Sequence, residues 1–148
     1  MIKPTILIIL SLFCTSIDAA RKTYGDLEVT RLVKVIDGDT IKVDIDYIHP
    51  LLGDARNVRV YGVNTPEIRT RDYDEKVKGR KAKSFVIQEL EGSKILLKDV
   101  SADKYFRILA EVFYKKNKGV SGEFGKYKNL TKELIKNGYG VEYYGGRK

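Results

Sequence analysis

Residues 41–47 (Ile-Lys-Val-Asp-Ile-Asp-Tyr) alternate apolar with charged or polar side chains without a break. Because successive side chains of a β-strand point to opposite faces, this alternation predicts a strand that is buried on one face. An Asp-Gly pair at residues 37–38 precedes it and is typical of a hairpin turn, and a β-rich run at residues 32–36 comes before that turn. A third strand is predicted at residues 57–63, because Pro66 shortly afterwards stops a strand ladder.

The next periodic segment indicates a helix. Ala82, Phe85, Val86 and Leu90 recur at the spacing of one helix face, and Gly92 follows where a C-terminal cap is expected. The spacing predicts a helix over residues 78–91. The segment before it, residues 67–77, is polar and lacks periodicity, so we expect an exposed loop there.

The rest of the chain predicts two strands, a short helix and an extended end. These are residues 94–100, 107–114, 129–137 and 139–144, in that order. Three strands, a helix, two strands and a helix predict a mainly β, α+β domain. This order suits a five-stranded Greek-key barrel of the oligonucleotide-binding (OB) type, with two packed helices.

Residues 1–20 are set apart from this domain by their composition. Lys3 precedes an apolar run at residues 6–14, and small residues end the segment at Ala19 and Ala20. This pattern predicts a signal peptide that is cleaved after Ala19 or Ala20, leaving residues 21–148 as one domain exported to an extracellular or periplasmic location. An uncleaved membrane anchor is the alternative.

Charge and composition narrow the partners. The chain of 148 residues carries 28 Lys and Arg against 20 Asp and Glu, a net charge of +8. An excess of this size favours polyanions, with nucleic acid first and an anionic membrane surface second. One Cys and one His exclude a disulfide framework and a Cys/His zinc site. Any metal must therefore be held by oxygen ligands, which favours calcium, magnesium or manganese.

Residues suited to phosphate chemistry concentrate in three segments: the turn at 37–40 (Asp-Gly-Asp-Thr), the run at 59–67 (Arg-Val-Tyr-Gly-Val-Asn-Thr-Pro-Glu) and the turn at 103–107 (Asp-Lys-Tyr-Phe-Arg). Taken singly, each has an ordinary structural explanation. They are compatible with a hairpin turn, a salt-bridged strand arginine and a charged hairpin.

The combination is more specific than its parts. The three segments occur in the order and at the spacings of the staphylococcal nuclease (thermonuclease) family, with the predicted helix between the second and the third. From residue 30 to residue 144 the chain resembles that family. The resemblance implies a calcium-dependent phosphodiesterase that acts on DNA, RNA or both, is built on an OB barrel and produces 3′-phosphate ends.

The resemblance also implies a role for each matching residue. Asp39, Asn64 and the backbone carbonyl of Thr65 would hold Ca²⁺. Arg59 and Arg107 would grip the scissile phosphate, and Glu67 would activate the attacking water. Lys104 and Tyr105 would contact a neighbouring phosphate of the substrate, and either Tyr143 or Tyr144 would pack on the nucleoside.

Three departures from the family pattern stand out. Asn64 replaces an aspartate ligand, so we expect weaker calcium binding or tolerance of another divalent ion. Phe106 replaces a small residue, which would alter the aim of Arg107. The sequence ends at Lys148 without the terminal helix of the family's namesake.

The sequence therefore favours an exported, sugar-nonspecific, calcium-dependent nuclease, an interpretation that requires the three segments to meet in space. We expect it to act as a monomer on DNA or RNA, with no stable membrane association after processing. Two alternatives are a non-catalytic nucleic-acid-binding OB module and a membrane-tethered interaction domain.

Overall fold

A computed structural model describes residues 21–117 and 125–145. The predicted signal peptide, residues 1–20, lies outside the described residues and stays a prediction. Within the described ranges, each helix is too short or too polar to cross a lipid bilayer.

The described residues form nine strands and three helices. In chain order they are β1 (Leu27–Glu28), β2 (Arg31–Asp37), β3 (Thr40–Asp44), α1 (Pro50–Gly53), β4 (Arg56–Val60), β5 (Gly62–Asn64), α2 (Tyr73–Leu90), β6 (Ser93–Ala102), β7 (Ile108–Lys116), β8 (Lys128–Asn129), α3 (Leu130–Lys136) and β9 (Val141–Tyr143). A short 3₁₀ turn, Lys104–Phe106, joins β6 to β7.

The main sheet curls into a barrel. Its strand order is β1-β6-β7-β4-β3-β2, with β8 added beside β7. The chain changes partner between β1 and β2: the Val29 amide donates to the Ile95 carbonyl at 3.0 Å, and the Thr30 amide donates to the Asp44 carbonyl at 2.9 Å. Because β1 pairs with β6 while β2 pairs with β3, this stretch of chain joins the two edges of the sheet.

The segment at residues 57–63 forms parts of two strands, so the prediction of a single continuous strand is wrong. β4 lies in the barrel, antiparallel to β3 and parallel to β7. The chain then leaves at Tyr61, and β5 pairs with β9 in a separate two-stranded sheet. This departure carries residues 64–67 away from the barrel and onto the surface where the candidate site lies.

The first long helix begins earlier than its apolar spacing indicates. It starts at Tyr73, so the loop predicted over residues 67–77 is wrong for its last five residues. The Asp72 side chain accepts hydrogen bonds from the amides of Asp74 and Glu75 at 2.9 and 3.1 Å. Such an N-cap satisfies donors that otherwise lack a helix partner, and acidic residues in the first turn suit the positive end of the helix dipole.

The core lies inside the barrel and under the two longer helices. Val43, Val58 and Leu97 line its interior without exposure, while Val86 from α2 and Leu134 from α3 close it. Burying an aliphatic side chain of this size stabilises a fold by about 1.5–3 kcal/mol. The predicted α+β OB-type barrel with two packed helices is confirmed, and the short helix α1 lies in the connection between β3 and β4.

Candidate active site

A cavity of about 980 Å³ opens where the β2–β3 turn, the segment after β5 and the β6–β7 turn meet. Three separate parts of the sequence therefore contribute to one surface. Nine of the ten residues that the sequence proposes for the site line this cavity: Asp39, Arg59, Asn64, Thr65, Glu67, Lys104, Arg107, Tyr143 and Tyr144.

The tenth, Tyr105, does not line the cavity. Its backbone has a φ of 59°, in the left-handed region, within the 3₁₀ turn. The side chain is 89% exposed as a result. The structure thus places Tyr105 at the outside of the turn, and its predicted contact with a neighbouring phosphate stays a prediction.

Asp39 ends the hairpin turn and is almost fully buried. One carboxylate oxygen, Oδ2, accepts a hydrogen bond from the Thr65 amide at 2.9 Å. The other, Oδ1, accepts from the Thr40 hydroxyl at 3.1 Å and pairs with Arg59 Nη1 at 2.7 Å. This carboxylate therefore ties the turn to the segment after β5, although the two are 26 residues apart in sequence.

Arg59 is held by several acceptors at once. Its Nη1 also donates to the Asp39 carbonyl at 3.1 Å, while Nη2 donates to the Val63 carbonyl at 3.0 Å and to Asn64 Oδ1 at 3.3 Å. The side chains of Arg59 and Asp39 are 14% and 11% exposed. A charge pair as buried as this one is expensive to break, since removing one partner leaves the other charge unpaired at a cost of about 3–5 kcal/mol.

Arg107 is fixed separately. It follows the 3₁₀ turn, and its Nε and Nη2 both bond Asp103 Oδ2, at 2.9 and 2.6 Å. The Arg107 side chain remains 31% exposed. Arg59 and Arg107, two of the arginines on the cavity wall, are thus each oriented by one carboxylate from a neighbouring turn, and planar groups held in this way are suited to binding phosphate oxygens.

Two glycines allow the segment that carries Glu67 to approach its neighbours closely. A Cβ at Gly38 would lie 2.8 Å from Thr65 Oγ1, and a Cβ at Gly79 would lie 2.7 Å from the Pro66 carbonyl oxygen. The Glu67 amide donates to Glu75 Oε1 at 3.3 Å. The absence of side chains at these two glycines therefore lets Pro66 and Glu67 pack between the hairpin turn and α2.

The acidic groups on the cavity wall differ in their surroundings. Burial, together with the negative charge of Asp39, raises the pKa of Asp37 to about 6. Asp37 accepts a hydrogen bond from the Asp39 amide at 3.3 Å. Of the two neighbouring carboxylates, Asp39 is the one that forms an ion pair with Arg59.

The residues present fit a hard cation. Asp39, Asn64 and Thr65 share the cavity wall, and the groups that they offer, a carboxylate, an amide and a carbonyl, are oxygen donors of the kind Ca²⁺ prefers. Among the described residues, no group of three or more His, Cys, Asp or Glu side chains is arranged to hold a metal. A cation here would rely on few carboxylates, neutral oxygens and water.

Aromatic side chains cover one side of the cavity. Tyr143 and Tyr144 both line it, and the rings of Tyr144 and Tyr61 lie 5.4 Å apart. The guanidinium of Arg21 packs on the Tyr61 ring, with its Cζ 4.0 Å from the ring centroid. Both of the tyrosines proposed to contact the nucleoside therefore lie at the cavity.

Sequence reasoning missed several residues of the site. Asp37 was assigned only to the hairpin turn, and Asp103 only to a charged turn, yet both line the cavity. Asn57 lines it as well, and its buried Oδ1 lacks a hydrogen-bond partner within the part of the chain that the structure describes. The signal that could have identified Asp103 is its position four residues before Arg107 in the same turn, where a carboxylate can pair with the arginine.

Comparison with known families supports the same assignment. The family model described as Staphylococcal nuclease homologue matches residues 57–148, more than half of the chain. The fold and the site thus define a staphylococcal nuclease-like domain. This chain belongs to the staphylococcal nuclease homologue family.

Three relatives show the range of similarity. An uncharacterised protein of Methanocaldococcus jannaschii is 28% identical, over 88% of this chain and 64% of the relative. Endonuclease Htp3 of Saprolegnia parasitica is 29% identical over 78% of this chain and 59% of the relative. Thermonuclease of Staphylococcus hyicus is 35% identical over 56% of this chain and 47% of the relative. The chain spans less than two thirds of the length of each of these relatives.

Proposed function

We propose that this protein is a calcium-dependent nuclease that hydrolyses phosphodiester bonds in DNA, RNA or both. The observation that supports this proposal most strongly is the shared cavity. Arg59 and Arg107 are each oriented by a carboxylate. They line the same cavity as Glu67 and the oxygen donors of Asp39 and Asn64. A protein that only binds nucleic acid has no need of a glutamate in the same cavity as two fixed guanidiniums.

The two arginines would neutralise the substrate. A phosphodiester is anionic, so an approaching hydroxide is repelled until cationic groups offset the charge. Guanidiniums that are already oriented reorganise little when negative charge grows on the phosphate in the transition state, and this preorganisation is the main source of electrostatic stabilisation. Because Arg59 lies on β4 and Arg107 lies between the 3₁₀ turn and β7, they would bind different oxygens of the same phosphate.

Glu67 would accept the proton of the attacking water. It lines the cavity at the end of the segment that Gly38 and Gly79 position. A positioned general base accelerates such a reaction by about 10²–10⁴-fold. No covalent intermediate is needed, so hydrolysis would be direct.

Asp39, Asn64 and Thr65 would hold the cation. When bound, Ca²⁺ supplies Lewis-acid polarisation of the phosphate and helps to orient the water. The amide of Asn64 brings an oxygen without a negative charge, and for this reason we expect weaker calcium binding or use of another divalent ion.

The finer features of this proposal come from the sequence. The resemblance of the motifs supports endonucleolytic cleavage that leaves 3′-phosphate ends. The composition of residues 1–20 supports export and removal of a signal peptide, and the net charge of +8 supports salt-sensitive binding to the phosphate backbone without sequence preference. We propose a monomer, with nucleic acid as its partner.

The test is digestion of single-stranded DNA, duplex DNA and RNA by residues 21–148, with Ca²⁺ titrated in and then removed by a chelator. We expect cleavage that rises with Ca²⁺ and stops on chelation. Arg107→Ala should lower the rate by about 10²–10³-fold, the usual loss when one oriented donor to the transition state is removed.

Arg31→Ala is the matched control, because Arg31 also pairs with an aspartate but lies outside the cavity. Its rate should equal that of the parent. Binding without cleavage under all metal conditions would replace the nuclease with the alternative, a non-catalytic OB module. Equal cleavage by the parent and Arg107→Ala would overturn the role of Arg107.

A further inference from the structure

The 3₁₀ turn between β6 and β7 carries an aromatic residue that the proposed chemistry does not use. Phe106 is 63% exposed, and its φ is 59°, in the left-handed region that favours glycine. A bulky residue with this backbone conformation is unusual, and conformations of this kind concentrate at functional sites. The ring therefore calls for an explanation other than packing.

Arg56 fixes this ring from one side. The Arg56 Cζ lies 4.1 Å from the centroid of Phe106, and Arg56 Nη2 donates a hydrogen bond to the Phe106 carbonyl. One guanidinium thus restrains both the side chain and the backbone of the same residue. The Arg56 cation covers one face of the ring, and the rest of the side chain is exposed to solvent.

The position of the ring relative to the cavity indicates what it would meet. Lys104 and Arg107, on either side of it in sequence, both line the cavity, whereas Phe106 lies outside the lining. Adjacent Cα atoms are about 3.8 Å apart, so the backbone of Phe106 borders the cavity beside Arg107. A nucleic-acid strand whose phosphate is held by Arg107 would bring a neighbouring base within reach of the exposed Phe106 ring.

We propose that Phe106, backed by Arg56, is a stacking platform for an unpaired base of the substrate strand. This inference rests on the proposed function and adds a preference to it. Both faces of a base inside a duplex are already stacked on neighbouring bases, so the platform favours single-stranded or locally opened nucleic acid. Aromatic side chains stack on every base, and the preference is therefore one for strand state and not for sequence.

The experiment measures binding and cleavage separately. A short fluorescently labelled oligonucleotide, alone or annealed to its complement, is titrated with protein in the presence of a chelator, and the affinity is read from fluorescence anisotropy. Phe106→Ala should weaken single-strand binding by about tenfold, within the range that alanine substitution of a stacking residue produces. Duplex affinity should be essentially unchanged. Phe106→Trp should retain the single-strand affinity.

Two further variants serve as controls. Tyr24 is likewise exposed and has a cation near its ring, with Lys22 Nζ 5.5 Å from the centroid, but it lies outside the cavity lining. Tyr24→Ala should bind both forms like the parent. Phe106→Gly suits the left-handed backbone, so it keeps the fold while removing the ring, and it should match Phe106→Ala.

Equal losses for single strand and duplex, or no loss for either, would overturn the platform. The proposed nuclease activity is judged independently, from cleavage by the parent with Ca²⁺. A parent that binds single strands through Phe106 but cuts nothing would refute the nuclease and keep the platform. A parent that cuts, and whose strand preference ignores Phe106, would do the reverse.

Discussion

Two clusters of charged side chains in this molecule use the same chemistry for different ends. The cavity cluster consists of Asp39, Arg59, Asp103 and Arg107, in two pairs. The Glu89 cluster lies outside the cavity lining: Glu89, on α2, accepts hydrogen bonds from the Tyr114 hydroxyl and, at 2.8 Å, from Lys116 Nζ, both on β7.

The difference lies in which charge sits at the centre. In the Glu89 cluster several donors surround one carboxylate, and the bonds join α2 to β7, so the cluster fastens a helix to the barrel. In the cavity cluster each carboxylate orients one guanidinium at the wall of an open cavity. Ion pairs therefore do not reveal a functional site by themselves. What distinguishes the cavity cluster is that its positively charged groups lie beside an open cavity.

The largest expected effect separates the two clusters by activity. Glu67→Gln keeps the size of the side chain but removes its basicity, so it should lower kcat by about 10²–10⁴-fold. Glu89→Gln, the matched change outside the cavity, should leave kcat at the parent value. Initial rates on single-stranded DNA at saturating Ca²⁺ measure both. Similar losses in the two variants would show that the cavity has no special role.

The next effect separates the clusters by stability. Glu89→Ala leaves the fully buried Tyr114 hydroxyl without its acceptor, and an unsatisfied buried polar group costs about 1–3 kcal/mol. The free energy of unfolding in urea should fall by this amount. Glu142→Gln, at an exposed position of β9, is the control and should unfold at the parent's midpoint. A stable Glu89→Ala variant would contradict the fastening role of the Glu89 cluster.

Gly79→Ala tests how the cavity is positioned. In an exposed helix interior this change stabilises by up to about 1 kcal/mol, because alanine has the higher helix propensity. Here the new Cβ would lie 2.7 Å from the Pro66 carbonyl, so overpacking should destabilise the fold by about 1–3 kcal/mol and displace Glu67. Urea unfolding and kcat are the readouts, with Ser84→Ala as the control because it gains helix propensity at an exposed position of α2. A more stable Gly79→Ala variant with unchanged kcat would show that the close contact between Gly79 and Pro66 does not position Glu67.

The smallest expected effect is a pH dependence of the Glu89 cluster. Burial alone would raise the pKa of Glu89, but its bonds to Lys116 and Tyr114 outweigh burial and lower the pKa below its ordinary value of 4.5. A carboxyl whose pKa is lower in the folded state stabilises the fold above that ordinary value and loses this contribution as the pH falls through the lowered pKa. The stability gap between the parent and Glu89→Gln should therefore narrow below pH 4.5. A gap that does not change with pH would show that the charge of Glu89 is not the stabilising feature.

Much of the fold could be predicted from local patterns. The alternation around Ile41 and Val43 and the spacing of Val86 and Leu90 reported buried faces correctly, because burial in each case follows the period of one element. The start of α2 was missed, since the Asp72 cap acts through side-chain geometry and not through apolar spacing. The break between β4 and β5 was missed because β5 pairs with a strand at the far end of the sequence.

The candidate site divides in the same way. Its residue types, their order and their membership in one family could be recognised in the sequence, because turns and short motifs are local and their chemistry is written in the side chains themselves. Which of them face one cavity, how Asp39 and Asp103 orient two arginines, and the exposure of Tyr105 and Phe106 were decided only by the tertiary structure. Those properties depend on strands and turns that are distant in sequence and meet only when the barrel closes.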